Sequence, residues 1–166
     1  MYKIGKSKTS IIRVENNKVF KTVKKHPSGF DLFSNEIKWL KRLSDFERVP
    51  TLVEYDKENQ IIVTNYLGDI LTRDTVPDDW ELQVKYIVKT LRVYGCSHND
   101  IKPREIVVKD KNLYLVDFGW ATPLGEKLPD AFPKGLGGSK FRYGVLYFDD
   151  FYSFNKSIRH ILRDKK

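Results

Sequence analysis

The run "DDWELQVKYIVKTLRVYG", residues 78–95, leaves this chain the least freedom. Trp80, Val84, Ile87, Leu91 and Tyr94 recur at steps of four, three, four and three, which predicts an amphipathic helix with one face buried. Asp78 with Glu81 has the form of a capping box at its start, and Gly95 is a natural stop. Directly after it comes "CSHNDIKPREIVV", residues 96–108, which holds His98, Asp100 and Lys102 in a polar break between two apolar segments. "EIVVKDKNLYLVDF" then predicts two short strands around Asp110-Lys111-Asn112, and "VDFGWA" follows at 116–121.

The preceding third of the chain has a different texture. "SIIRVENNKVFKTV" clusters β-branched and aromatic residues around Asn16-Asn17, a hairpin signal. After the turn-rich "HPSG", "FDLFSNEIKWLKRL" places Phe33, Ile37, Leu40 and Leu43 on a helical stripe with Glu36 at its edge. "TLVEYD" and "QIIVTNYL" predict another strand pair ending at Gly68. The Gly- and Pro-rich stretch from Pro123 to Gly144 predicts no regular element, and "FDDFYSFNKSIRHILRD" predicts a final helix. The order is therefore strand-rich with one helix, then mainly helical with a short hairpin: an α+β chain.

Turns on rigid supports thus deliver two acidic residues, Asp100 and Asp117. Adjacent carboxylates repel, and each costs several kcal/mol if desolvated alone. A divalent cation and a hydroxyl-bearing substrate would relieve that cost. Phosphoryl transfer asks for this set: one carboxylate for the cation, one for the incoming hydroxyl, and a lysine for the moving charge. The bland alternative is that Asp100 caps a turn.

In these residues the chain resembles the eukaryotic-type protein kinase superfamily. "HNDIKP" is similar to its catalytic loop and "DFG" to its metal-binding triplet, in the right order and separation. The resemblance implies a bilobal fold with a β-rich N-lobe over residues 1–66, one αC-like helix, and a truncated, mainly helical C-lobe over 67–166. It implies ATP with Mg²⁺ or Mn²⁺ as cofactors, Asp100 as catalytic base, Lys102 on the γ-phosphate and Asp117 as metal ligand. "KVFK" is similar to the strand that carries the phosphate-binding lysine, which makes Lys21 that residue and Glu36 its ion-pair partner. "NYLG" resembles the hinge, so Asn65, Tyr66 and Leu67 would meet the adenine with Thr64 behind them. Asp150, or its neighbour Asp149, would brace the catalytic loop.

The chain departs from that pattern in four places. Gly5, Ser7, Ser10 and Ile12 stand where the phosphate-covering loop has G-x-G-x-x-G-x-V, so two glycines are serines. Glu105 replaces the second metal-binding Asn; it is read as a metal ligand, the alternative being a solvent-facing side chain. Asn99 replaces the Arg that reads a phosphorylated loop, although Thr122, Ser139 and Tyr143 supply hydroxyls. No A-P-E motif separates Gly119 from Asp150, and the later C-lobe helices are missing, which leaves apolar surface for a second copy or a partner protein to cover.

These features imply a phosphotransferase acting on a hydroxyl, protein Ser/Thr ranked just ahead of a glycan or small molecule. The alternative is a pseudokinase, a nucleotide-binding or scaffolding regulator. Formal charge is +8, with 12 Lys and Arg against 5 Asp and Glu through Arg48. That suits an anionic partner or simple solubility, and only this charge points to nucleic acid. One cysteine, Cys96, excludes an internal disulfide. With no apolar signal region and no membrane span, the expectation is a cytoplasmic protein.

Overall fold

The computed structural model describes residues 3–126, 128–133, 141 and 149–163. Ser139, Tyr143 and most of the Gly- and Pro-rich stretch lie outside these.

Strands β1 (Lys3–Lys6), β2 (Ser10–Glu15), β3 (Lys18–Val23), β4 (Leu52–Asp56) and β5 (Ile61–Asn65) form one antiparallel sheet in the order β1-β2-β3-β5-β4. Asn16 and Asn17 close the β2–β3 hairpin with φ of 48° and 60°. Asparagine tolerates that left-handed pair better than most side chains, and such a turn matches the strand twist. The helix α1 (Leu32–Arg42) follows β3. Its cap is Asp31, whose carboxylate accepts from the Ser34 amide at 3.0 Å.

The chain leaves this sheet at Asn65, three residues earlier than the expected end at Gly68. Gly68 has φ 109°, and a Cβ there would lie 2.1 Å from the carbonyl oxygen of Val108. Only glycine passes that point. The short β6 (Asp69–Ile70) then joins β8 (Ile106–Lys109) and β9 (Asn112–Leu115) in a second sheet. Asp110 and Lys111, with φ of 50° and 61°, turn the β8–β9 hairpin.

Helix α2 (Trp80–Val93) lies between β6 and β8 in sequence, and Gly95, φ 68°, follows its end. Its start differs from expectation. The cap residue is Asp79, and its carboxylate accepts from Gln83 Nε2 at 2.8 Å without bonding the first amides, so Asp78 and Glu81 form no capping box. Past the helix, β7 (Cys96–Ser97) pairs with β10 (Thr122–Pro123), and α3 (Asp150–Arg163) packs on α2.

The α+β class read from sequence holds: the described residues form three α-helices and a five-stranded antiparallel sheet, the makeup of a small bilobal kinase-like fold. One apolar core is continuous across it, from Val23, Trp39 and Ile62 through Ile87 and Leu115 to Phe154 and Ile161. No helix among the described residues is long and apolar enough to cross a membrane.

Candidate active site

Lys21 projects from β3, Glu36 from α1, and Asp117 from the bend after β9. The Lys21 ammonium lies 2.7 Å from Glu36 and 2.9 Å from Asp117. Glu36 was expected at the edge of the helix stripe; it is buried. Burial alone would push the Lys21 pKa down, but the two carboxylates outweigh it and hold it above the ordinary lysine value. Burial raises the Glu36 carboxyl, partly offset by Lys21. Asp117 is desolvated too, yet Lys21 draws its pKa down to about 2. Asp117 also holds a left-handed backbone, φ 67°, an uncommon conformation that the surrounding contacts must sustain.

Asp100, Lys102 and Glu105 come from the loop between β7 and β8. Asp150, at the first turn of α3, fixes that loop: its two oxygens accept from the amides of His98 at 2.7 Å and Asn99 at 3.0 Å. Of the neighbouring pair, Asp150 is thus the brace, while Asp149 accepts from the Tyr152 amide. The Asp100 amide donates to His98 Nδ1 at 3.2 Å, so the opposite ring nitrogen carries the proton and donates to the Val116 carbonyl at 2.9 Å. His98 also packs edge-on against Phe118 at 4.8 Å. One imidazole therefore ties the Asp100 loop to the strand end that leads to Asp117.

The Lys102 ammonium reaches both oxygens of Asp100 at 2.9 Å and lies 3.9 Å from Glu105. Glu105 is buried, and its Oε2 has no hydrogen-bond partner. Burial, then the charge of Asp117, pushes its pKa well above the usual carboxylate range. One oxygen each from Asp100, Glu105 and Asp117 fall within 4.8 Å of one another. Hard oxygen donors at this spacing, one of them orphaned, fit a divalent cation such as Mg²⁺ or Mn²⁺.

The remaining sequence candidates lie in the five-stranded sheet, its β1–β2 turn and the segment that follows β5. Thr64 is buried in β5 opposite Val19. Asn65 bonds Thr51 through its amide and its side chain, at 3.2 and 2.8 Å, and the Tyr66 amide donates to the Asn17 carbonyl at 3.0 Å. Leu67 is half-buried. Gly5 pairs with Ile12, and a Cβ there would have Ile12 as its nearest neighbour at 3.9 Å, so the fold does not demand glycine. Ser7 takes part in closing the β1–β2 turn. Its Oγ accepts from the amides of Ser10 at 3.0 Å and Thr9 at 3.3 Å and lies 3.1 Å from the Ser10 hydroxyl. Two amides that a glycine-rich loop would offer a phosphate are thus turned onto a serine.

Below that turn, Thr9, Lys21, Glu36, Asp117 and Gly119 enclose only about 10 Å³, barely the room of one water. A larger groove of about 700 Å³ lies between α2 and α3, lined by Lys85, Asp149, Tyr152, Lys156 and Arg159 among others, and none of Lys21, Glu36, Asp100, Lys102, Glu105 and Asp117 lines it. Asn35 and Asn99, whose amides hold the segment after Asp117, carried no sequence signal for that contact.

No family model matches the chain. Over 73 residues, 44% of this chain, it is 30% identical to the probable serine/threonine-protein kinase BUD32 homologue of Archaeoglobus fulgidus. The matched stretch spans 37% of that relative's length. This is a protein-kinase-like relationship.

Proposed function

We propose that this chain is a phosphotransferase that moves the γ-phosphate of ATP to a hydroxyl, protein Ser/Thr ahead of a glycan or small molecule. What supports the reading most is a single convergence: the Lys21–Glu36–Asp117 and Asp100–Lys102–Glu105 groups, drawn from separate elements, meet where Asp100, Glu105 and Asp117 each bring an oxygen within 4.8 Å of the others. Thr64, Asn65, Tyr66 and Leu67 would flank the adenine of ATP, between lobes of residues 1–66 and 67–166. Lys21 would meet the phosphates, with Gly5, Ser7 and Ser10 in the turn covering them. Asp117 and Glu105 would hold Mg²⁺ or Mn²⁺. That cation, when bound, offsets the negative charge of the phosphates and of the crowded carboxylates.

Lys102 now occupies both oxygens of Asp100. Moving its ammonium to the γ-phosphate would turn Asp100 toward the acceptor hydroxyl. The acceptor oxygen then forms its bond to phosphorus as the bond to the ADP oxygen breaks, and its proton passes to Asp100. A second reading, a nucleotide-responsive pseudokinase, draws on Ser7, which consumes the Thr9 and Ser10 amides.

Transfer of labelled γ-phosphate from ATP, with protein and glycan fractions as acceptors, tests the first reading. Melting with ATP and Mg²⁺ or Mn²⁺ tests the second. A ligand at ~100 times its Kd stabilises by about 2.7 kcal/mol. A rise in midpoint without transfer selects a nucleotide-binding pseudokinase; no rise and no transfer leaves the scaffolding form of that reading and removes the phosphotransferase.

A further inference from the structure

The segment just after Asp117 is held from two sides by neutral amides. From α1, Asn35 Nδ2 donates to the carbonyls of Gly119 at 2.8 Å and Ala121 at 2.9 Å, and Trp39 Nε1 donates to Ala121 at 3.0 Å. From the catalytic loop, Asn99 Nδ2 donates to the Trp120 carbonyl and the Thr122 hydroxyl, both at 2.9 Å. The other end of that amide accepts from Ser97 Oγ at 2.9 Å. Three successive carbonyls, 119 to 121, are therefore gripped alternately from above and below.

Backbone and rings complete the grip. Thr122 and Pro123 pair with Ser97 and Cys96, and the Leu124 amide donates to the Gly95 carbonyl at 2.8 Å. The Trp120 ring stacks on Phe30 at 5.3 Å and meets Phe132 and His26 edge-on at 4.9 and 5.0 Å. Asn99 reaches its partners from a left-handed backbone, φ 70°, which asparagine adopts at low cost. The side chain is 3% exposed, so its bonds are made out of water's reach and are costly to leave unmade.

What these bonds position is the site itself. Asn35 immediately precedes Glu36, and Gly119 lies two residues past Asp117; both carboxylates grip Lys21. Pulling α1 onto the 119–121 carbonyls brings Glu36 and Asp117 to the same ammonium. A phosphorylated segment would be ordered by an arginine pairing with the phosphate; here asparagine stands at 99 and the bonds are amide to carbonyl.

Resting on the phosphotransferase reading, we propose that Asn35 and Asn99 are positioning residues. They latch the Gly119–Thr122 segment between α1 and the catalytic loop, and so assemble Lys21, Glu36 and Asp117 with no phosphate on that segment.

The test uses the full chain and the isosteric variants Asn35→Asp and Asn99→Asp, which turn donors into acceptors facing carbonyls. Amide hydrogen exchange at Ala121 and Leu124 should quicken by about tenfold, the worth of two neutral hydrogen bonds, while α2 amides keep their wild-type rates. In phosphotransfer, kcat should fall by about tenfold with KM for ATP within roughly threefold. Thr122→Val, which removes only the hydroxyl acceptor, should show a smaller change in the same direction, and it serves if either Asp variant fails to fold. Unchanged exchange in folded variants overturns the latch. Faster exchange with unchanged kcat overturns its positioning role. If the wild type transfers no phosphate, the phosphotransferase reading falls, while faster exchange still upholds the latch.

Discussion

The two ends of the candidate site are built from the same parts, one lysine and two carboxylates, and they come out differently. At one end Lys21 stands between its carboxylates, 2.7 Å from Glu36 and 2.9 Å from Asp117. At the other, Lys102 is committed to both oxygens of Asp100 and stays 3.9 Å from Glu105, whose Oε2 has no hydrogen bond. Burial is comparable, since Glu36 and Glu105 are each 5% exposed. The position of the ammonium decides the outcome. A lysine placed between two acids completes a site; a lysine placed on one of them leaves Glu105 with only distant cations, Arg104 at 3.7 Å and Lys102 at 3.9 Å, and with its Oε2 unbonded.

Removing the central lysine should break the contrast hardest. Lys21→Met is expected to lower phosphotransfer by about 10²–10³-fold, the usual cost of one transition-state contact. It also leaves the buried Glu36 facing the partly exposed Asp117 with no cation between them, which should cost stability at neutral pH and less in acid, where Glu36 takes a proton. Denaturant unfolding at two pH values checks this. Wild-type stability at pH 7 would mean that the lysine does not complete that end.

The next effect has the opposite sign. Glu105→Gln should stabilise the metal-free chain by about 1–2 kcal/mol near neutral pH, because an orphaned buried oxygen gives way to a group that can donate. The Glu105 carboxyl is raised above the ordinary 4.5. Its penalty is therefore absent below that pH and grows as pH rises through the folded value. The gain should vanish in acid, and the melting response to Mn²⁺ should be lost with it.

Asp117 supplies the converse profile. With its pKa drawn from 3.8 to about 2, its contribution is present above 3.8 and lost as pH falls toward 2. Acid unfolding of Asp117→Asn should lack that step. The smallest change is expected from Ser7→Ala, which frees the Thr9 and Ser10 amides at a cost of about 1 kcal/mol or less. Calorimetry would detect it, and a tighter nucleotide response would favour the pseudokinase reading's account of that turn.

Periodicity and turn chemistry were readable in the chain before any coordinates. The Asn16-Asn17 and Asp110-Lys111 hairpins, the α2 stripe and the stop at Gly95 follow from rules acting over a few residues. Asp79, rather than the expected Asp78, begins α2, because Gln83 from within the helix takes its carboxylate. Gly68 needs its freedom only because Val108, forty residues away, presses on it. The convergence of Lys21, Glu36 and Asp117 was suggested by motif order, but the burial of Glu105 and the amide contacts of Asn35 and Asn99 had no periodic or spacing signal. They depend on which carbonyls the fold brings within reach.

Asp150 adds a consequence in time. The loop bearing Asp100 takes its shape from a carboxylate 51 and 52 residues further along. At roughly 5–20 residues per second on the ribosome, that carboxylate emerges some seconds after the loop it shapes. Until then nothing from α3 holds the loop, and its acidic side chains can remain hydrated. The crowding of negative charge is thus deferred until α3 has followed the loop off the ribosome.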